Sequence, residues 1–232
     1  MILTQCFWLI RHALVHPDSL TQLYGTNDVP VCDVTMAADA PRYAALAACL
    51  PRPARLICTP LTRTQLTAAA LIRAGYPDET PQIDPAFVEQ NFGSFQGQPI
   101  SDFDARSTTE RHPFWPVHAQ ETPPGGENFA DMIARTGAGL ERLLASPERD
   151  TIIVSHGGAI RAMCAYALGL TAHQALCFSV DNISLTRLEH NRHGWRILSV
   201  NEHLSTTACA TPRTPSNEDR RRHPKQTQGV AS

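Results

Sequence analysis

Two apolar runs in this chain end in side chains suited to anions: Phe7-Trp8-Leu9-Ile10 stops at Arg11-His12-Ala13, and Thr151-Ile152-Ile153-Val154 stops at Ser155-His156-Gly157-Gly158. A short apolar run bounded by polar sequence reads as a buried strand of a parallel or mixed sheet, and such strands deliver chemistry just beyond their carboxyl ends. Alone, Arg11-His12 is as readily a strand terminus with a solvent-facing arginine and a histidine that satisfies a carbonyl. The repetition at His156 turns the reading toward a shared site. Arg63 falls in the first turn of a helix predicted from Leu61, where unpaired amides and the helix dipole already favour an anion. An arginine there calls for a negative ligand unless its arm simply reaches solvent. Gly157-Gly158 lets backbone and ligand approach closely and opens the next helix with free amides. Two arginines, two histidines and these amides would make a positive site whose natural ligand is phosphate, since each donor can meet a nonbridging oxygen. A neutral histidine whose other ring nitrogen is held by an acceptor can attack phosphorus. The leaving alkoxide then needs a proton, and Glu89 is the candidate acid, with a surface or capping carboxylate as the plain alternative. No HExxH, paired-aspartate or CxxC spacing supports a metal mechanism, so neither a metal nor a cofactor is expected.

The elements that must position these groups alternate strand and helix. After the first strand, Pro17, Asp18, Gly25, Asn27, Asp28 and Pro30 suit an irregular loop over residues 14–35. Alanine and leucine from Ala37 to Leu50 predict a helix with Pro41 near its start, ended by Pro51 and Pro53. Ala54–Cys58 is a second buried strand. Leu61 to about Gly75 is a helix packed on the sheet, and residues 82–88 make a short edge strand because Pro85 argues against a central one. Glu89–Gly97 is a structured loop. Residues 98–124 hold five prolines with Phe103, Phe114 and Trp115, and such a long irregular stretch suits a lid or pocket wall as well as a satellite hydrophobic cluster. A helix begins at Gly125-Gly126-Glu127-Asn128 and runs to about Leu144, Glu127 favouring the positive end of its dipole. Another follows His156 and ends near Gly169. Residues 182–189 and 195–200 form a hairpin around the turn 190–194, which accounts for His190 and His193 without a metal. Residues 205–232, poor in apolar side chains, read as a flexible tail, the run Arg220-Arg221-Arg222-His223 included.

The 232 residues are 42% hydrophobic and 18% charged with formal net charge -2, enough chain for one full core and no general reason to expect nucleic acid or an anionic membrane as partner. Lysine occurs only at Lys225; this follows genome composition more than a need for arginine's bidentate contacts. Seven dispersed cysteines, odd in number, read as reduced and buried rather than disulfide-bonded. The first apolar run lacks a preceding positive region and ends in Arg-His, so it reads as a core strand and not a signal peptide, and no stretch approaches a membrane span. A cytoplasmic location is expected, and a homodimer is compatible with the sequence.

The motifs also resemble a known family. Over roughly residues 5–200 the chain is similar to the histidine phosphatases, the phosphoglycerate-mutase-like superfamily. Its first signature stands here as Arg11-His12-Ala13 followed by Tyr24-Gly25 and Asp28-Val29-Pro30, and its second as Thr59-Pro60-Leu61-Thr62-Arg63-Thr64. Glu89–Gly97 looks like the acid-bearing loop and Val154–Gly158 like the last catalytic strand end. The resemblance implies an α/β fold, a three-layer α/β/α sandwich around a mostly parallel mixed sheet, with a catalytic domain at 1–204 and a lid or specificity insertion at 98–124. It implies that His12 becomes phosphohistidine, that Arg11, Arg63, His156, Gly157 and Asn182 hold the phosphoryl group, and that Glu89 protonates the leaving alcohol and then activates water. Ala13 replaces the usual glycine. Asp18 stands where many members have asparagine, and a charge pointing into the pocket there would oppose phosphate.

Gln90 and Phe92 take the arginine and tyrosine places of the Glu-Arg-x-Tyr-Gly form of cofactor-dependent mutases, which favours hydrolysis of a small phosphorylated metabolite over mutase action. Pro124-Gly125-Gly126-Glu127 and the length look most like the branch with α-ribazole phosphatases. A broader sugar-phosphate or bisphosphate phosphatase, a phosphoglycerate mutase, and a non-catalytic phospholigand-binding domain are the alternatives. Asp18, Tyr24, Gly25, Phe103, Phe114 and Trp115 are the candidates for the rest of the substrate pocket.

Overall fold

The computed structural model describes residues 4–77, 80–102, 111–145 and 150–205. Six strands form one sheet: β1 Gln5–Arg11, β2 Arg55–Cys58, β3 Gln82–Ile83, β4 Asp150–Ser155, β5 Leu185–Asn191 and β6 Gly194–Glu202. Their order is β3-β2-β4-β1-β5-β6. β1, β2, β3 and β4 run parallel to their neighbours in that set, while β5 pairs antiparallel with β1 and with β6. The expected mostly parallel mixed sheet is therefore present. In register, Arg11 stands beside Ser155, so the residues that follow each strand, His12 and His156, emerge side by side.

The period of two along β1 divides the core. Trp8 and Ile10 pack with Leu56, Cys58, Ile152 and Val154 under α2 Ala40–Cys49 and α3 Thr62–Arg73. Phe7 and Leu9 pack with Ile57, Ile153 and Leu188 under α4 Phe129–Leu144 and α5 Gly157–Leu168. A strand whose two faces are both buried must be apolar at every position, which is why Phe7–Ile10 shows no alternation. The layers are thus helix, sheet, helix.

Several boundaries differ from expectation for identifiable reasons. The helix predicted over 37–50 is two helices, α1 Asp33–Ala38 and α2, separated at Asp39 with Pro41 in the first turn of the second. The 82–88 strand is only two residues long, because Asp84 caps a 3-10 turn over Pro85–Phe87 by accepting the Ala86 N–H at 2.9 Å. α4 starts at Phe129, four residues later than predicted, behind a capping box in which Asn128 and Asp131 accept each other's backbone N–H. The strand expected from Asn182 begins at Leu185, since Ile183 has φ of 59°. A short helix, α6 Ala172–Ala175, was not foreseen. Of the tail, only Ser205 lies among the described residues. No helix among the described residues is long and apolar enough to cross a membrane.

Candidate active site

His12 sits at the carboxyl end of β1 and is 1% exposed. Its Nδ1 lies 2.6 Å from the Ala13 carbonyl oxygen. A carbonyl can only accept, so Nδ1 carries the proton and Nε2 keeps its lone pair. Burial first, then the charges of Arg63 and Arg11, hold the ring well below the ordinary value of 6.5, against a smaller opposing effect of the Ala13 bond. The ring is neutral at neutral pH. Its backbone is clamped: the His12 N–H donates to Ser155 O at 2.9 Å, and Asn182 Nδ2 donates to His12 O at 2.8 Å. Ile183 makes the second clamp possible. Held in left-handed backbone that a β-branched residue resists, it turns the chain so that its N–H reaches Arg11 O at 3.0 Å.

Arg63 is 0% exposed, which removes the solvent-facing alternative. Its Nη1 donates to Asn27 O at 2.8 Å, its Nη2 to Gly25 O at 2.6 Å, and its Nε to His156 Nδ1 at 3.3 Å. Of five guanidinium N–H groups, about two stay unused. The awkward placing of a cation at the start of α3 is relieved by Asp28, whose carboxylate accepts the N–H and hydroxyl of Thr62. Gly25 must be glycine: at φ of 46°, a Cβ would come within 2.6 Å of Gln90 O and 2.7 Å of the Phe92 ring. Arg11 donates from Nη1 to Val180 O at 2.6 Å, and its buried Nε meets no partner among the described residues.

His156 ends β4, 0% exposed, with its ring 5.1 Å from that of His12. Burial, followed by Arg63 and His12, lowers it well below the ordinary range. Both its nitrogens are engaged, Nδ1 by Arg63 and Nε2 by Thr59 Oγ1 at 3.0 Å. The Arg63 Nε–H occupies the Nδ1 side of the ring, and Thr59 the Nε2 side.

Glu89 is 8% exposed and lies against the start of α5. One carboxylate oxygen accepts the Gly158 N–H at 3.0 Å and the other its neighbour Gln90 N–H at 2.9 Å. Gly158 admits it, since a Cβ there would lie 2.2 Å from the Glu89 Oε1 and 2.9 Å from the Trp115 ring. Gly157 packs against Arg11, 3.3 Å separating its Cβ direction from Nε. The loop is fixed by Arg135, which donates to Ala86 O and Val88 O and pairs with Glu127 at 2.7 Å. Glu127 in turn accepts the Asn91 N–H. Its part is structural, as expected, but through Arg135 and not the helix dipole.

The remaining candidates divide. Tyr24 lies under Arg63, Cζ 5.3 Å from its ring centre, so it supports the cation. The Asp18 side chain is 92% exposed beside His16, turned to solvent and away from the buried donors. Phe114 is 63% exposed against His112, whereas Trp115 donates from Nε1 to Gln90 Oε1 at 2.8 Å and packs beside Glu89. Phe103 lies outside the described residues. Sequence reasoning missed Arg161, one turn along α5 from the Gly pair. Its guanidinium lies 5.2 Å from the Trp115 ring centre and its Nε donates to Phe178 O at 2.7 Å. Its terminal nitrogens meet no partner among the described residues. Position 161, three and four residues after Gly158 and Gly157, was the available signal.

Residues 7–203 match the family model described as the histidine phosphatase superfamily (branch 1). The bifunctional protein Rv2228c of Mycobacterium tuberculosis is 30% identical over 142 residues, 61% of this chain, and the match spans 38% of that relative's length. The probable phosphoglycerate mutase GpmB of Yersinia pestis is 27% identical over 192 residues, 81% of this chain and 86% of its own. Among solved structures, a mycobacterial glucosyl-3-phosphoglycerate phosphatase is similar at TM-score 0.71 and 22% identity over 86% of this chain and 99% of that one. The α-ribazole phosphatase of Shigella flexneri is similar at TM-score 0.71 and 21% identity, over 87% and 98%.

Proposed function

Since the chain belongs to branch 1 of the histidine phosphatase superfamily, we propose that it hydrolyses a small phosphomonoester with His12 as nucleophile. The observation that carries this reading is the pinned tautomer of His12: Nδ1–H on the Ala13 carbonyl and a neutral ring leave Nε2 its lone pair, with Arg63 and Arg11 close enough for their charges to act on the ring. The Nε2 atom attacks phosphorus, the phosphorus–oxygen ester bond breaks, and the leaving alkoxide takes its proton from Glu89. A water molecule then gives a proton to the Glu89 carboxylate and attacks the phosphohistidine. The phosphorus–nitrogen bond breaks, phosphate departs, and Nε2 regains its lone pair. Arg11 and Arg63 meet the charge on the transferring group, and fixed donors of this kind supply most of the transition-state stabilisation in phosphoryl transfer.

Rapid-quench mixing with a phosphomonoester, followed by mass analysis at neutral pH, tests the proposal. Phosphate is expected on His12. Absence of both labelling and phosphate release above a His12→Ala control refutes it and leaves a non-catalytic phospholigand-binding domain.

The resemblance to α-ribazole phosphatases supports α-ribazole 5′-phosphate as substrate. Arg161 favours a second reading. A half-buried guanidinium with unpartnered terminal N–H groups, close enough for its charge to act on Glu89 and Arg11 and stacked on Trp115, suits a substrate with a second negative group, such as a phosphoglycerate derivative or a sugar bisphosphate.

A further inference from the structure

The hydrogen bonds around His156 admit a single arrangement of protons. At one end is Arg63, whose Nε always carries hydrogen, so His156 Nδ1, 3.3 Å away, must accept. In the neutral ring the proton then belongs to Nε2, which donates to Thr59 Oγ1 at 3.0 Å. The Thr59 oxygen also receives the Leu61 N–H at 3.4 Å and passes its own proton to Thr64 Oγ1 at 2.9 Å. Thr64 accepts from the Thr59 N–H as well, and its hydroxyl ends on the carbonyls of Leu61 and Thr59 at 2.9 and 3.0 Å. The Arg63 end sets the direction: with Nδ1 accepting, the Nε2 proton must go to Thr59, and the Thr59 proton onward to Thr64. Thr59, Thr64, Arg63 and His156 are all 0% exposed, which leaves no water to rearrange it.

We infer that Thr59 is a positioning residue: by taking the Nε2 proton of His156 it keeps Nδ1 an acceptor, and that acceptor aims the Arg63 guanidinium at the phosphoryl pocket. His156 and His12 are therefore held in opposite tautomers, one to orient a cation and the other to attack. The value of this arrangement to catalysis rests on the phosphatase reading, but the tautomer does not.

Ring-nitrogen correlation spectra of 15N-histidine-labelled protein at neutral pH, with His156 assigned by its loss in His156→Asn, read the tautomer directly. Nε2–H is expected for His156. An Nδ1–H or doubly protonated ring in the wild-type chain overturns the inference without any variant. Thr59→Val, which keeps shape and removes the hydroxyl, leaves the buried Nε2 proton without its acceptor, so the ring should no longer hold a single tautomer against Arg63, and inhibition by inorganic phosphate should weaken roughly tenfold. Thr59→Ser should restore both. If Thr59→Val lowers only the melting temperature while tautomer and phosphate inhibition persist, Thr59 is merely structural. Failure of the wild-type chain to release phosphate from any ester would instead count against the phosphatase reading.

Discussion

Lowering the pH from about 7.5 to about 5.5 should destabilise this protein by roughly 3 kcal/mol through two histidines alone. His12 and His156 are buried and neutral, with folded values well below the ordinary 6.5 that they regain on unfolding. The unfolded chain therefore binds more protons than the folded one throughout this window, so stability rises with pH and is lost as pH falls below the unfolded value. Each group contributes about 1.4 kcal/mol over the whole window, since the full slope is reached only below the unfolded value, and two give about 2.7 kcal/mol. Burial lowers His112 too, which adds in the same direction. The loss is a large part of a typical folding free energy of about 5–15 kcal/mol. Urea midpoints at several pH values in one buffer series measure it, and His12→Asn should remove about half of the slope due to the pair. A flat profile, or a slope that His12→Asn leaves unchanged, refutes the reasoning: His12 would then take up a proton in the fold as readily as in the unfolded chain, and burial would not be what keeps its lone pair free.

Gly158→Ala should cut kcat/KM by about a hundredfold or more, the usual worth of a positioned acid, because the added methyl occupies the place of Glu89. Full activity with an unchanged circular dichroism spectrum would mean that Glu89 is not held where it acts. Arg161→Gln should lower kcat/KM about tenfold more for 3-phosphoglycerate and fructose bisphosphate than for α-ribazole phosphate, the scale of one charge-assisted hydrogen bond. Equal losses on all three esters would remove Arg161 from substrate choice.

The two central strands and their Arg-His and Ser-His endings were legible because each depends on a local pattern: a continuous apolar run followed at once by polar groups. Arg63 could be suspected for the same reason, as a cation in a helix turn that disfavours it. What escaped were the partners supplied from far along the chain. Nothing local tells Arg135 to hold Ala86, Val88 and Glu127, or Asn182 to brace His12 across 170 positions, because such bonds depend on packing that brings loops together. Ile183 was misread as strand, since β-branched residues favour strands and its left-handed backbone is imposed by its tertiary bond to Arg11. Asp18 drew notice by type alone, and solvent exposure, which single residues do not encode, decided its placing.

The way the arginines are held separates binding from scaffolding. Arg142 and Arg135 pair with the carboxylates of Asp84 and Glu127, which cancels their charge in place. Around the pocket the partners are carbonyls instead: Val180 for Arg11, Asn27 and Gly25 for Arg63, Phe178 for Arg161. A carbonyl orients a guanidinium through its dipole but leaves the full positive charge unneutralised. Among the described residues no carboxylate pairs with any of these three. Fixed positive charge in a buried site is costly to maintain, and an anion beside it would offset that cost, which is the electrostatic ground for the proposed phosphate ligand. Neutral histidines follow from it. With Arg11 and Arg63 close by, protonation of His12 or His156 is opposed by both burial and like charge, and the neutral His12 ring follows from the arginines around it.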